Sequence, residues 1–273
     1  METGRRDVLK AAGVLAATGL VASGTAAARR GPATRTGIPT AVGDGNANTY
    51  VEYTNGNPST IGVYLDATAL DNLPVNPNTP GNSTEYRLDL PTGNTGRFEF
   101  VGLDWNPYGH EPEGVYTNPH FDVYFYMQSA SAVDDIAGGV PDYEIPDALM
   151  PATTDYSPER AVVPKMGEHL VSDPVSYPTS AAWSVFIWGA YDPDGDGTGQ
   201  LTFMEPMTTT AYLQNLRGDG SDDARRATTL PMPDRFEKAG WYPTEYVVRY
   251  HADGDAFTIS LEEFEHFPGY GRR

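Results

Sequence analysis

The chain reads as an all-β protein, an antiparallel sandwich or open barrel of about seven to ten strands with long loops and one or two short helices. Three observations predict this. Short runs alternate apolar and polar residues at a period of two. Helical spacing is confined to two brief segments, 130–137 and 208–216. Finally, 23 Pro and 29 Gly in 273 residues break up every longer run.

Taken in order, the chain begins with a segment of export type. Arg5-Arg6 precedes Leu9-Lys10, and an uncharged stretch rich in Ala, Gly, Val and Leu follows from Ala11 to Ala22. A charged region, an apolar run too short to span a bilayer and small residues ending at Ala28 together predict a twin-arginine signal peptide over residues 1–28. The mature protein is then expected outside the cell or at the cell-envelope exterior, with no membrane anchor after cleavage. Residues 29–48 carry almost no large apolar side chain and read as a flexible tether. A single β domain is expected over 49–267, with a tail at 268–273.

Within that domain, Ile61, Val63 and Leu65 share one strand face. Phe98, Phe100 and Gly102 form a second alternating set, and Phe121, Val123, Phe125 and Met127 a third. Trp183–Trp188 and Gln200–Met204 read as a buried hairpin. Tyr246, Val248 and Tyr250 pair with Phe257, Ile259 and Leu261 across Asp253-Gly254, a dipeptide suited to a tight turn. The segments 72–84, 138–164 and 217–243 are expected to be long loops, and Asn82-Ser83-Thr84 in the first of them is a glycosylation sequon.

Composition narrows the function. There are 37 acidic against 18 basic residues, a net charge of −19, and the basic set includes only 3 Lys. Such a surface repels nucleic acid and is best tolerated where salt screens it, so the chain reads as halophilic. With no cysteine, disulfides, thiolate metal sites and cysteine nucleophiles are excluded. No G-x-S-x-G, H-E-x-x-H, phosphate-binding loop or dinucleotide-binding glycine pattern is present, so the sequence assigns no reaction.

The densest chemistry lies in residues 104–122, which hold His110, Glu111 and His120. If the strand starting near His120 turns Phe121, Val123 and Phe125 to the core, then His120, Asp122, Tyr124 and Tyr126 share its other face. His169 and Glu205 lie elsewhere in the chain. Imidazoles with a carboxylate suit a divalent transition metal, so His110, Glu111, His120, His169 and Glu205 are the candidate ligands. A second cation candidate is the acidic turn from Asp194: Asp194, Asp196 and Glu205 stand at positions 1, 3 and 12 of an EF-hand-like calcium spacing, although strands rather than helices flank it. A small-molecule ligand or a second copy of the chain is the expected partner. The alternative is a non-catalytic binding or structural protein of the cell envelope, whose histidine motif is purely structural.

The run Gly109-His110-Glu111-Pro112, Val115-Tyr116, Pro119-His120-Phe121-Asp122 and Phe125-Tyr126 resembles a family of secreted bacterial and archaeal proteins of unassigned function. Its hallmark reads G-H-x-P-x-x-V-Y-x-x-P-H-F-D-x-H-F-Y. Gly167-Glu168-His169-Leu170 and Phe203-Met204-Glu205-Pro206-Met207 are similar to that family as well. The resemblance implies a functional cluster at His110, Glu111, His120, His169 and Glu205, and no reaction. One position departs from the hallmark: Tyr124 stands where the pattern has a second histidine, which puts the metal or its ligand set in question.

Overall fold

A computed structural model of the chain describes residues 33–75, 83–151, 156–172, 178–221 and 223–271. The expected signal peptide and the sequon asparagine Asn82 lie outside the described residues.

Two antiparallel sheets stack as a sandwich. The first contains β1 (Ala33–Thr36), β2 (Thr40–Val42), β3 (Gly45–Thr54), β4 (Asn57–Asp66), β12 (Asp223–Thr229), β13 (Gly240–His251) and β14 (Ala256–Phe267). Its order is β1-β3-β4-β14-β13-β12, with β2 also on β3. The second runs β5-β6-β7-β11-β10-β9-β8. Its strands are β5 (Thr84–Asp89), β6 (Phe100–Asn106), β7 (His120–Tyr126), β8 (Tyr156–Val163), β9 (Gly167–Ser172), β10 (Ser184–Tyr191) and β11 (Gln200–Thr209). The helices are short: α1 (Ala130–Asp134) and α2 (Thr210–Arg217), capped by the side chains of Ser129 and Thr209, which accept from Ala132 N and Tyr212 N.

The main core lies between the sheets. Val51, Ile61, Val63, Leu65, Phe257, Ile259 and Leu261 from one face meet Val101, Leu103, Phe121, Val123, Phe125, Trp188 and Met204 from the other. Period-two alternation therefore sets the orientation of β7 as expected: odd residues enter the core and even ones face outward. Both expected hairpins form, with Trp188 opposite Met204 and Tyr250 opposite Phe257.

Several boundaries differ from the sequence reading. Residues 33–48, expected as a tether, form β1, β2 and the start of β3. Their backbone bonds to β3 and β4, rather than large apolar side chains, place them in the sheet. The tail is docked as far as Tyr270, whose N–H donates to Phe236 O at 2.7 Å. The expected loops over 138–164 and 217–243 contain β8 and β12. Phe98 and Phe100 do not share a face: β6 begins at Phe100, so Phe98 joins the main core while Phe100 packs on the outer side of the second sheet.

That outer side positions the site. A sheet face is normally solvated when nothing covers it, but here two small apolar clusters bury it. One contains Phe100, Tyr124, Tyr126, Phe203 and Val133 of α1; the other contains Tyr116, Trp183, Ile187 and Met207. Between them lies a strip of buried polar residues from β6, β7, β9 and β11.

Candidate metal centre

The loop from β6 to β7 carries the first imidazole. Gly109 has a φ of +67°, and a Cβ there would lie 1.9 Å from Tyr116 O, so only glycine permits the fold-back. The following residue, His110, bridges to Tyr116, its N–H donating to Tyr116 O at 3.0 Å. This brings His110 over the start of β7, where His120 and Asp122 project from the outer face. The two imidazole rings are 4.8 Å apart, edge to face.

Asp122 is the focus of the pair. His120 Nε2 lies 3.0 Å from Asp122 Oδ1, and His110 Nε2 lies 3.3 Å from Oδ2. Asn106, opposite His120 on β6, donates from Nδ2 to Oδ2 at 2.7 Å. Each imidazole is anchored through its other nitrogen: His110 Nδ1 donates to Glu111 O at 2.7 Å, and His120 Nδ1 to Asn118 O at 2.6 Å. A carbonyl oxygen only accepts, so both Nδ1 atoms carry hydrogen and both Nε2 atoms of the neutral rings present lone pairs. Neither Nε2 nor Asp122 Oδ1 makes a well-aligned hydrogen bond. Three electron-pair donors thus converge in a buried space, a group that could hold a metal ion.

The three ligand atoms lie within 4.8 Å of one another. Ligands at about 2.1 Å from one ion with a tetrahedral angle between them are about 3.4 Å apart, so the trio would draw in by up to about 1.4 Å. His120 is fully buried and His110 a quarter exposed, leaving one side of the cluster open.

Electrostatics follow the same geometry. Burial opposes the charge on Asp122, but the two imidazoles outweigh it and hold its pKa well below the usual carboxylate range. For His110, burial favours the neutral ring, whereas Asp122 and the Glu111 carbonyl win and raise its pKa to about 9. Asp104, opposite Asp122 on β6, is pushed up to about 8 by burial and by its negative neighbours.

A second group lies on the same strip. His169 Nε2 on β9 is 3.5 Å from Glu205 Oε2 on β11, and the ring of Tyr124, two residues along β7 from Asp122, lies edge-on to His169 with centroids 6.4 Å apart. Burial pushes His169 down to about 4 and, with Asp122, raises Glu205 well above its ordinary value. Phe203 packs against both Tyr124 and His169, its ring centroid 5.3 Å from each. A cleft of about 230 Å³ opens beside these residues, lined by Gly102, Asp104, Tyr124, Tyr126, Lys165 and Met166 among others.

The structure therefore brings His110 and His120 together and places His169 with Glu205 in a neighbouring pair. Glu111 is exposed, and it contributes its carbonyl rather than its carboxylate. Asp122 completes the trio. Its place on the His120 face was readable from alternation, but its role as ligand emerges only once His110 folds over it. The calcium spacing does not assemble: Asp194 and Asp196 are exposed in the β10–β11 turn, while Glu205 is buried within β11. That turn is organised instead by Asp192, which accepts from Gly195 N at 3.0 Å and Gly197 N at 2.7 Å.

Fold and cluster together define a class: a two-sheet β sandwich with a buried His/Asp cluster on the outer face of one sheet. Residues 54–105 match the family model described as TTHB210-like, hypothetical protein TTHB210. The matched span runs from the end of β3 through β6, and includes Asp104 but not the histidines. No curated protein and no solved structure matches the chain. No helix among the described residues is long and apolar enough to cross a membrane.

Proposed function

We propose that this chain is an exported metal-binding β sandwich that holds one divalent transition metal through His110, His120 and Asp122. One observation carries the reading: both histidines spend Nδ1 on backbone carbonyls, which leaves both Nε2 lone pairs aimed at the two oxygens of one buried carboxylate. Two nitrogens and one oxygen leave coordination positions for water or ligand, as in catalytic rather than closed structural sites. The adjoining cleft is of a size for a small polar molecule. Export is supported by the Arg5-Arg6 segment and its following apolar run. A pathway that carries folded proteins suits a site loaded before release.

A second reading has its own support. The raised pKa of His110 allows the imidazolium to replace the ion, giving a hydrogen-bonded structural cluster in a non-catalytic envelope protein. The two readings separate on elemental analysis of the mature protein, purified without chelator in high salt, beside a His120→Ala variant. About one transition metal per chain, absent from the folded variant, is expected. Metal-free protein in both, equally folded, would leave the structural reading in its place. The same preparation, recovered from outside the cell, should begin at Arg29 by mass.

A further inference from the structure

The even residues of β6 point to the outer face of their sheet, and among Phe100, Gly102, Asp104 and Asn106 only Gly102 contributes no side chain there. The cleft of about 230 Å³ opens at this gap, between Gly102 and residues 164–166 of the turn from β8 to β9. Asp104, next along the same face, also lines it. It is 3% exposed; among the described residues its Oδ1 has no hydrogen-bond partner, and its Oδ2 accepts only a long bond, 3.4 Å, from Ser83 Oγ. A carboxyl so deeply buried is normally well bonded. The cleft therefore ends on a group short of a partner.

We infer that this cleft binds one neutral sugar ring, a pyranose, with a ligand hydroxyl bonded to the Asp104 carboxyl. A hydroxyl both donates and accepts, so it satisfies that carboxyl in either protonation state. Charged ligands fit the lining less well. An anion would face Asp104 and Glu85, and a cation would face Lys165, while the Glu85 carboxylate is already matched by Arg87, whose Nε and Nη2 donate to Oε1 at 3.2 and 3.0 Å. A pyranose instead offers apolar C–H surface to Met166 and the rings of Tyr124 and Tyr126, which lie 20° from parallel, and a rim of hydroxyls to Ser83 and Asp104. The volume falls below the about 300–1,000 Å³ of pockets for drug-sized ligands, which limits the occupant to a single ring. The inference rests on the proposed function only in taking this cleft as the place of the ligand, and it needs no metal.

The test is saturation-transfer nuclear magnetic resonance on the full mature chain in 2 M sodium chloride. The probes are the methyl pyranosides of glucose, galactose and mannose, with tetramethylammonium and acetate as charged counterparts. Transfer to at least one pyranoside is expected, and titration should show its affinity about tenfold weaker in Asp104→Ala, for the loss of one hydrogen bond. Gly102→Ala guards against misfolding. A Cβ there would lie 3.4 Å from Tyr126 Cε2 and 3.5 Å from Tyr124 Cβ, ordinary contacts, so the variant should fold while its methyl group fills the cleft and weakens binding. Unchanged pyranoside affinity in both folded variants would overturn the location. Transfer to tetramethylammonium or acetate alone would overturn the neutral-sugar class, and transfer to no probe would overturn the cleft as a ligand site. Elemental analysis of the same preparations keeps the two readings apart: pyranoside binding by metal-free protein supports the cleft without the metal centre, and metal-bearing protein that takes no pyranoside overturns the cleft alone.

Discussion

Asp122 and His110 hold each other in their charged forms when no metal is bound, and this makes the metal-free protein sensitive to pH. The folded pKa of His110 is raised to about 9 from an ordinary 6.5, so its contribution is complete below pH 6.5 and lost as pH rises through 9. Asp104, raised to about 8 by burial, acts in the same direction, because the fold disfavours its charge. Asp122, held low, acts oppositely and loses its contribution only in strong acid. The metal-free chain should therefore lose melting temperature between pH 6 and pH 9. A metal ion replaces the proton on His110 Nε2, so its stabilising effect should grow over that same interval. Thermal melts at the two pH values, with and without added zinc, check this; a larger zinc-induced shift at pH 6 than at pH 9 would be inconsistent with ligation by these rings. Part of this chemistry was readable in the sequence. His110 and His120 were identified by type and proximity, and alternation put Asp122 beside His120. The pairing of His169 with Glu205 was not readable as a pair, because it depends on the β9-β10-β11 order and on Gly189 standing opposite His169.

At the level of elements, the site depends on how closely β9, β10 and β11 fit. The ring of Phe203 lies across Gly189, where a Cβ would come within 1.9 Å of it, and the register shifts between Gly189 and Ala190. Gly189→Ala must therefore displace the ring that packs on His169 and Tyr124. Overpacking of this kind costs about 1–3 kcal/mol, to be read by chemical denaturation, and a variant as stable as wild type would show that the ring moves freely. The strands most readily predicted were those with large alternating apolar side chains: β4, β7, β10, β13 and β14. Those missed were β1, β2, β5, β8, β9 and β12. The burial of β1 is exposed throughout, and β12 is exposed over most of its length. Such strands are fixed by backbone pairing to a neighbour, and that leaves little trace in hydrophobic pattern.

For the whole molecule, the excess of acid dominates. A net charge of −19 opposes compaction at low salt. The ion pairs at the surface, such as Arg87 with Glu85 and Asp134 or Arg226 with Asp219, are of a kind worth about 0–1 kcal/mol each. They do not offset that repulsion. Because the screening length falls from about 10 Å at 0.1 M to about 3 Å at 1 M salt, the melting temperature should rise steadily from 0.1 to 2 M sodium chloride. A fall over this range would argue against a halophilic protein. The all-β class and both hairpins were evident from periodicity. The division into two sheets, and the covering of an outer sheet face by the 107–119 loop and α1, were not, since they arise from pairings between strands distant in sequence.

The central claim is that His110, His120 and Asp122 share one ion. Anomalous-difference diffraction from crystals of the mature chain, grown without chelator and measured above the absorption edge of the metal found by elemental analysis, tests it most directly. A peak is expected within about 2.3 Å of His110 Nε2, His120 Nε2 and an Asp122 carboxylate oxygen together. Well-ordered density for all three side chains with no anomalous peak between them, and direct hydrogen bonds from both imidazoles to Asp122, would contradict it.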